Sequence, residues 1–415
     1  MSTVGAEPAR SADRPVGTAA RSSAPPWLLV GAIVLAAVNL RTAVTSVGPL
    51  LDELERGVGL SSGLAGLLTT MPVLAFAGLG WVTPGLAARF GSRRVLSGAL
   101  AMMTAGLVLR SVAGSAWLFL AMSVPALAGG AMGNVLLPSM VKRHFPGRVG
   151  PMTAAYTTAL ALGTTVAAAV TVPISTIGGG QDWRLGLGAW AALSAVAALV
   201  WLLVPLPAEP ADAGPRTHSS QLVGSRTAWA LALFFGAQSL QAYVSLGWFA
   251  QFFRERAGFS ATRAGLLIAV LSSVSIPVSM AVPYVAARLR SQHAIIAGFL
   301  ACYLVAYTGM LIAPVGGAWV WAVLVGLGGG AFPLALTLIG LRTRTPETTV
   351  ALSAFAQSIG YVVAGIGPLL VGVLHGRRGS WTGPFVVLFA DLALFAVAGW
   401  YVSGPCYVDD DLGRR

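Results

Sequence analysis

Arg41 interrupts the first long apolar stretch of the sequence, which runs from Trp27 to Val47. It lies 14 residues after Trp27, about 21 Å along an α-helix that rises ~1.5 Å per residue. An arginine so deep in a bilayer costs roughly 2.5–3.5 kcal/mol on insertion scales, and the stretch holds no acidic partner. Its planar guanidinium can bind two acceptor atoms at once. We therefore predict a cavity-facing cation that attracts an anionic or electronegative solute; the alternative is an arginine that bonds backbone carbonyls and Asp391, or one that reaches the outer interface.

Uncharged polar and aromatic residues recur at a similar depth in other apolar stretches. Arg41, Thr45 and Gly48 follow one another at the i, i+4, i+7 spacing of one helix face. Such residues can supply hydrogen bonds and flat apolar contacts to a small polar solute. The alternative interpretation is hydrogen bonding between packed helices. The residues predicted to bind solute beside Arg41 are Asn39, Thr45, Gln238, Gln241, Tyr243, Trp248, Gln357 and Tyr361.

Asp391 is the only acidic residue well inside an apolar stretch. A carboxylate at that depth is a candidate for proton relay, with structural pairing as the alternative. No acidic residue is predicted in the cavity itself, so the sequence does not support proton coupling through a cavity side chain. Coupling through the protonation of the solute, or simple facilitation, stays open.

The sequence lacks the motifs of several common enzyme classes, which argues against an enzyme. The single lysine, Lys142, follows Val141, so no GxxxxGK[ST] phosphate loop exists. The two cysteines and four histidines lack the number and spacing of a zinc site, and neither GxSxG nor HExxH occurs. We therefore expect no catalytic residues, no metal and no cofactor.

The elements that must position these residues follow from composition. Hydrophobic residues make up 56% of the 415 residues and charged residues 10%, against roughly 25% charged in soluble domains. A bilayer core needs about 20 apolar residues per helix, and twelve stretches qualify, which predicts an all-α membrane protein. They lie at about 27–47, 62–87, 95–112, 117–140, 151–175, 185–204, 228–252, 263–286, 294–314, 318–341, 350–374 and 382–403.

The basic residues predict the orientation. With both termini on one side, that side collects seventeen of the 26 Lys and Arg, and the opposite loops hold eight, Arg110 among them. The positive-inside rule then places both termini in the cytoplasm. Orientation therefore accounts for much of the net charge of +12, and we expect no nucleic-acid partner.

An internal duplication divides the chain. Residues 60–92 align without a gap to 259–291, with Pro84 opposite Pro283 and Arg89 opposite Arg288. Two parallel six-helix halves would place a solute site between them near the midplane. The predicted layout is a disordered cytoplasmic tail at 1–26, a first bundle at 27–204, a cytoplasmic linker at 205–227, a second bundle at 228–403 and a cytoplasmic tail at 404–415.

The loop PGLAARFGSRR at 84–94 resembles the G-x-L-A-D-R-x-G-R-R signature of the major facilitator superfamily. It departs from that signature at Pro84 and at Ala88, so an ion pair through the missing Asp is in doubt. Three longer segments resemble those of the cyanate permease and 2-nitroimidazole transporter family. They are NLRTAVTSVGPLLDEL (39–54), GNVLLPSMVKRHFP (133–146) and SAFAQSIGYVVAGIGPLLVGVLH (353–375). The resemblance implies the twelve-helix major facilitator fold and places Arg41, Tyr156 and Thr157 at the cavity. We predict that the basic loops 88–94, with Arg89, Gly91, Arg93 and Arg94, and 142–148 act at the cytoplasmic gate by pairing with helix C-termini. The alternative is that these loops only set the orientation under the positive-inside rule.

We expect a secondary active or facilitative transporter in the cytoplasmic membrane of a bacterium. Alternating access would move a small polar, anionic or electronegative solute that resembles cyanate, nitrate or a nitroimidazole. The alternatives are a proton-coupled drug exporter of the same superfamily and a non-transporting membrane sensor. The expected partners are the solute and the lipid bilayer, with protons left open, and the expected state is a monomer.

Overall fold

A computed structural model describes residues 25–60, 62–177, 179, 182–204, 219–378 and 380–413, and all regular structure among them is helical. The helices are α1 (Pro26–Asn39), α2 (Thr42–Thr45), α3 (Leu51–Val58), α4 (Ser62–Phe90), α5 (Ser92–Ser111), α6 (Ala116–His144), α7 (Val149–Ser175), α8 (Trp183–Leu203), α9 (Arg226–Ala257), α10 (Ala261–Arg288), α11 (His293–Ile312), α12 (Ala318–Gly328), α13 (Ala331–Leu341), α14 (Pro346–Arg378), α15 (Thr382–Ser403) and α16 (Val408–Gly413).

Ten helical segments in the described part of the chain are long and apolar enough to cross a membrane. Two further helices, α5 and α9, have 20 and 32 residues but are less apolar. Arginines lower the hydropathy of α5, and Gln238 and Gln241 lower that of α9. The ten segments and these two helices correspond to the twelve predicted spans, and the predicted fold class is confirmed.

The first predicted span is not one continuous helix. The helix breaks after Asn39, and α2 restarts at Thr42, so Arg41 and Gly48 do not share a regular helix face as we predicted. Hydroxyl groups explain the break: Thr42 donates to the Asn39 carbonyl at 2.9 Å, and Thr45 to the Arg41 carbonyl at 3.0 Å. Such bonds from side chain to backbone compete with the regular pattern and bend helices.

The tenth predicted span, 318–341, coincides with the apolar segment Ala318–Leu341, in which a turn at Gly329–Gly330 separates α12 from α13. One other sequence prediction needs correction. Arg110, which we assigned to an outer loop, is the penultimate residue of α5 and its side chain is fully buried.

The two halves, α1–α8 and α9–α15, meet at the end of the molecule where α6 and α13 finish, here called the basic end. One apolar cluster joins the halves there, with Leu137 and Met140 on one side and Leu336 and Phe355 on the other. Farther from that end, each apolar cluster among the described residues belongs to a single half. The halves are thus packed against each other at the basic end.

The predicted tails and linker lie largely outside the described residues. Residues 1–24 and 205–218 are not described. The chain after Ser403 continues into α16, whose acidic residues bind the cytoplasmic-side loops predicted from the sequence. Asp410 pairs with Arg344 at 2.7 Å, and Asp411 accepts a bond from Ser225 at 2.7 Å.

Candidate functional site

Arg41 stands at the break between α1 and α2, where it faces the second half. Its guanidinium carbon lies 4.8 Å from the centre of the Phe332 ring on α13. Its Nη2 lies 3.5 Å from the Tyr361 hydroxyl on α14, at the long limit of a hydrogen bond. The side chain is partly exposed, and no carboxylate in the described residues forms an ion pair with it. Within the described ranges, a cation that no carboxylate pairs with therefore lies between the halves.

Aromatic rings surround the Tyr361 side chain beside Arg41. Its ring centre is 4.8 Å from that of Phe76, 5.3 Å from that of Phe235 and 6.5 Å from that of Tyr243. Tyr361 is buried, whereas Tyr243 and Arg41 stay partly exposed. The accessible part of this site thus combines one guanidinium with aromatic faces, which suits flat, electron-rich solutes.

Gln357 lies one helical turn from Tyr361 and bonds across the two halves. The Asn134 side-chain nitrogen donates to Gln357 Oε1 at 3.1 Å, and Gln357 Nε2 donates to Ser353 Oγ at 2.8 Å. Gln357 and Asn134 are both buried. These contacts agree with the alternative interpretation, in which polar side chains hydrogen-bond between packed helices. They link α6 of one half to α14 of the other.

The other polar residues predicted at the cavity in the first half are buried, and they make different kinds of contact. Asn39 is buried and donates to the Leu35 carbonyl at 2.8 Å, while its side-chain oxygen has no partner among the described residues. Thr157 donates to the Ser279 carbonyl of the second half at 3.2 Å. Tyr156 lies in the apolar cluster that joins the halves.

The predicted solute-binding residues on α9 lie in separate environments. Gln238 donates to the Phe235 carbonyl at 2.9 Å and to Ser239 Oγ at 2.6 Å. Gln241 instead faces α15 and α11: it donates to Asp391 at 2.7 Å and accepts from the Tyr307 hydroxyl at 2.5 Å. Trp248 packs near His375, with ring centres 6.4 Å apart.

Asp391 therefore lies inside the second half rather than beside Arg41. Its neighbours Leu388 and Leu392 belong to an apolar cluster made only of second-half residues. The Gln241 amide is the one hydrogen-bond donor recorded for it in the described part of the chain. This arrangement favours structural pairing over proton relay.

We expect Asp391→Asn to keep transport and its pH profile, because an asparagine oxygen can still accept from Gln241. Asp391→Leu should lower the free energy of unfolding by about 1–3 kcal/mol, since it leaves buried polar groups unpaired. Thermal unfolding and transport measured from pH 5 to 8 test both variants. A flattened pH profile in Asp391→Asn would instead support the relay.

Two basic residues at the end of α6 cross to the second half. Lys142 donates to the Gly340 carbonyl at 2.8 Å and to the Thr343 carbonyl. Arg143 pairs with Glu347, at the start of α14, at 2.6 Å. These contacts hold the halves together at the basic end.

The loop that resembles the superfamily signature makes no such crossing in the contacts recorded for the described residues. Arg93 donates to the carbonyls of Trp201 and Leu202, at the end of α8 in its own half. Arg89 lies over the Phe90 ring, and both Arg89 and Arg94 are exposed. Gly91 has φ +83°, which favours glycine where α4 turns into α5.

Arg342 binds a helix end within the second half, as Arg93 does within the first half. It donates to the carbonyls of Val402 and Ser403, at the end of α15, at 2.9 and 3.2 Å. Burial lowers the pKa of the Arg342 guanidinium from its ordinary value.

The sequence did not single out the aromatic residues Phe76, Phe235 and Phe332. In a helix that is apolar throughout, the sequence does not distinguish a phenylalanine that packs around an interior polar residue from one that faces lipid. Only their contacts with Arg41 and Tyr361 identify them.

Comparisons with known proteins agree with this architecture. A family model described as Major Facilitator Superfamily matches residues 32–368. The 2-nitroimidazole transporter of Escherichia coli (strain K12) is 33% identical over 376 residues, 90% of this chain and 94% of that protein. The cyanate transport protein CynX of the same organism is 30% identical over 351 residues, 84% and 90% of the two chains. The solved structure of the proton:xylose symporter XylE has a TM-score of 0.77 at 12% identity, over 94% of this chain and 98% of that one.

Proposed function

Because the chain belongs to the major facilitator superfamily, in the family of the 2-nitroimidazole and cyanate transporters, we propose that it moves a small, planar, anionic or electronegative solute by alternating access. The protein is a multi-pass membrane transporter. The solute would bind between the two halves, at the Arg41 break.

The Arg41 guanidinium, which forms no ion pair with any described residue, is the observation that carries this proposal. A cation with no counter-charge in low dielectric attracts an anion or an electron-rich group strongly. Tyr361 and Tyr243 add a flat face and hydroxyl groups on the side of the second half. The two sides of this site come from different halves. Movement of one half against the other would therefore change the contacts between the protein and the solute.

The ring lining favours a nitroimidazole-like or aromatic solute over cyanate or nitrate. A planar ring can stack on Tyr243 or Phe332 while its electronegative substituent meets the guanidinium. A small anion such as cyanate or nitrate would interact only with the charge of the Arg41 guanidinium. The relatives named for 2-nitroimidazole and for cyanate leave both classes as candidates for this chain.

We take the basic end to be cytoplasmic, on the positive-inside rule. In this proposal Lys142 and Arg143 close the cytoplasmic end, so the solute site opens to the outside. With Asp391 enclosed in the second half, we propose that any proton enters with the solute.

A thermal-shift screen of the purified protein tests the proposed solute class. Cyanate, nitrate, benzoate, 2-nitroimidazole and imidazole are compared, with choline as the cationic control. A ligand at 100 times its Kd should stabilise the fold by about 2.7 kcal/mol. We expect the largest rise in melting temperature with 2-nitroimidazole or benzoate, and no rise with choline.

The drug-exporter alternative predicts a different pattern. Lipophilic cations would then stabilise the protein, and Arg41→Ala would still confer resistance when overexpressed. Stabilisation by cations and not by anions would overturn the proposed function.

A further inference from the structure

Arg110 is a second cation in the interior of the first half. Its side chain is 0% exposed, and no acidic residue among those described pairs with it. Removing an arginine from water without a counter-ion costs several kcal/mol. That cost is reduced only if backbone or hydroxyl oxygens bind the guanidinium, so its acceptors are informative.

Both acceptors of Arg110 belong to the turn that follows Arg41. Nη1 donates to the Ala43 carbonyl at 2.7 Å, and Nη2 donates to Ser46 Oγ at 3.1 Å. In a continuous helix the Ala43 carbonyl would accept from the Val47 amide. Here that amide donates to Val44 at 3.4 Å, so the Ala43 carbonyl is free to accept from Arg110. The guanidinium replaces the helix bond that is lost where α2 ends.

The Ser46 hydroxyl extends this connection back towards Arg41. It accepts from Arg110 and donates to the Thr42 carbonyl at 2.6 Å. Thr42 in turn donates to the Asn39 carbonyl at 2.9 Å. A chain of hydrogen bonds therefore runs from α5 through α2 to both sides of Arg41.

Glycines on α6 and α7 leave room for the backbone beside the break. A β-carbon at Gly130 would lie 2.5 Å from the Leu40 carbonyl oxygen. One at Gly163 would lie 2.1 Å from the Val38 carbonyl oxygen. The backbone beside the break is thus packed closely against α6 and α7, and the turn that follows it is bound by Arg110 of α5.

We propose that Arg110 is a positioning residue for the solute site: it holds the turn from Thr42 to Ser46 so that Arg41 points between the two halves. This rests on the proposed function, because it takes Arg41 as the solute-binding group. Arg110 itself is enclosed and does not touch the solute. A purely structural role would stabilise the first half without affecting solute affinity.

Amide hydrogen exchange and solute binding test the inference together. We compare the purified full-length protein with Arg110→Lys, Arg110→Met and Ser46→Ala, using 2-nitroimidazole and benzoate as probes. Exchange in a peptide covering residues 40–48 should become at least tenfold faster in Arg110→Met, and less so in Ser46→Ala. The Kd of whichever probe binds should rise about tenfold in Arg110→Met and about threefold in Ser46→Ala, with Arg110→Lys between the wild type and Arg110→Met.

Arg184→Lys is the matched control. Arg184 also donates to a backbone carbonyl, that of Ala113 at 3.0 Å, but not at the break. We expect wild-type Kd and wild-type exchange at residues 40–48 in this variant. If Arg110→Met does not fold, Ser46→Ala still tests the connection.

Unchanged Kd and unchanged local exchange in folded Ser46→Ala and Arg110→Lys would overturn the inference. Faster exchange at 40–48 with wild-type Kd would also overturn it, since the turn would then be irrelevant to binding. If the wild type binds neither probe, the proposed solute class fails, and the exchange data still decide whether Arg110 holds the break.

Discussion

Replacing Arg41 with alanine is expected to abolish solute uptake into proteoliposomes while the protein still folds. The substitution removes a charge-assisted hydrogen bond to the solute, worth about 1.5–3 kcal/mol. At 1.4 kcal/mol per tenfold, the Kd should rise roughly 10- to 150-fold. The fold should tolerate the change, because the Arg41 side chain is partly exposed and its recorded contacts in the described residues are a long bond to Tyr361 and the Phe332 ring.

Arg41→Lys and Arg290→Ala complete this experiment. Lysine keeps the charge but loses the two-pronged guanidinium, so uptake should fall between those of the wild type and Arg41→Ala. Arg290 is an exposed arginine after α10, and its removal changes the net charge equally without touching the site. Normal uptake by folded Arg41→Ala would refute the assignment of Arg41.

Replacing Lys142 with methionine is expected to open the basic end. Lys142 bonds two carbonyls at the end of α13, so the variant leaves the Gly340 and Thr343 oxygens without their cross-half donor. A loss of about 1.5–3 kcal/mol would shift the equilibrium between conformations by more than tenfold. The shift should reduce transport, because the carrier would rest with its cytoplasmic side open.

Accessibility of an introduced cysteine measures this opening. Val149→Cys, in a background without Cys302 and Cys406, places a thiol at the contact between α7 and Gly340. Maleimide labelling should be more than tenfold faster in Lys142→Met. Arg93→Met is the matched comparison, since Arg93 binds the end of α8 within one half, and it should label at the parent rate. Faster labelling in Arg93→Met but not in Lys142→Met would move the gate to the 84–94 loop.

At the proposed gate, the sequence motif could be recognised, but the contacts between the two halves could not be predicted from it. The sequence predicted that the basic loops 88–94 and 142–148 pair with helix C-termini, and it showed Ala88 where the superfamily has Asp. It did not indicate which residues they reach: Lys142 binds Gly340, 198 residues away, and Arg143 binds Glu347, 204 residues away. Contacts between residues so far apart depend on how the two halves dock, and no local pattern encodes that.

The sequence by itself determined the properties that depend on composition and local order: the twelve spans, the duplicated halves and the deep charge at Arg41. These properties follow from hydropathy and from a repeat at constant offset. Both can be read from the chain without knowing which helices pack together. The tertiary structure alone decided that Arg41 meets Tyr361 and Phe332 of the second half, that Gln241 turns away to Asp391, and that Arg110 lies buried against the turn from Thr42 to Ser46. The physical reason is that a polar group in a membrane interior must find its partner on whichever helix packs beside it, and only the packing of the helices determines which one that is.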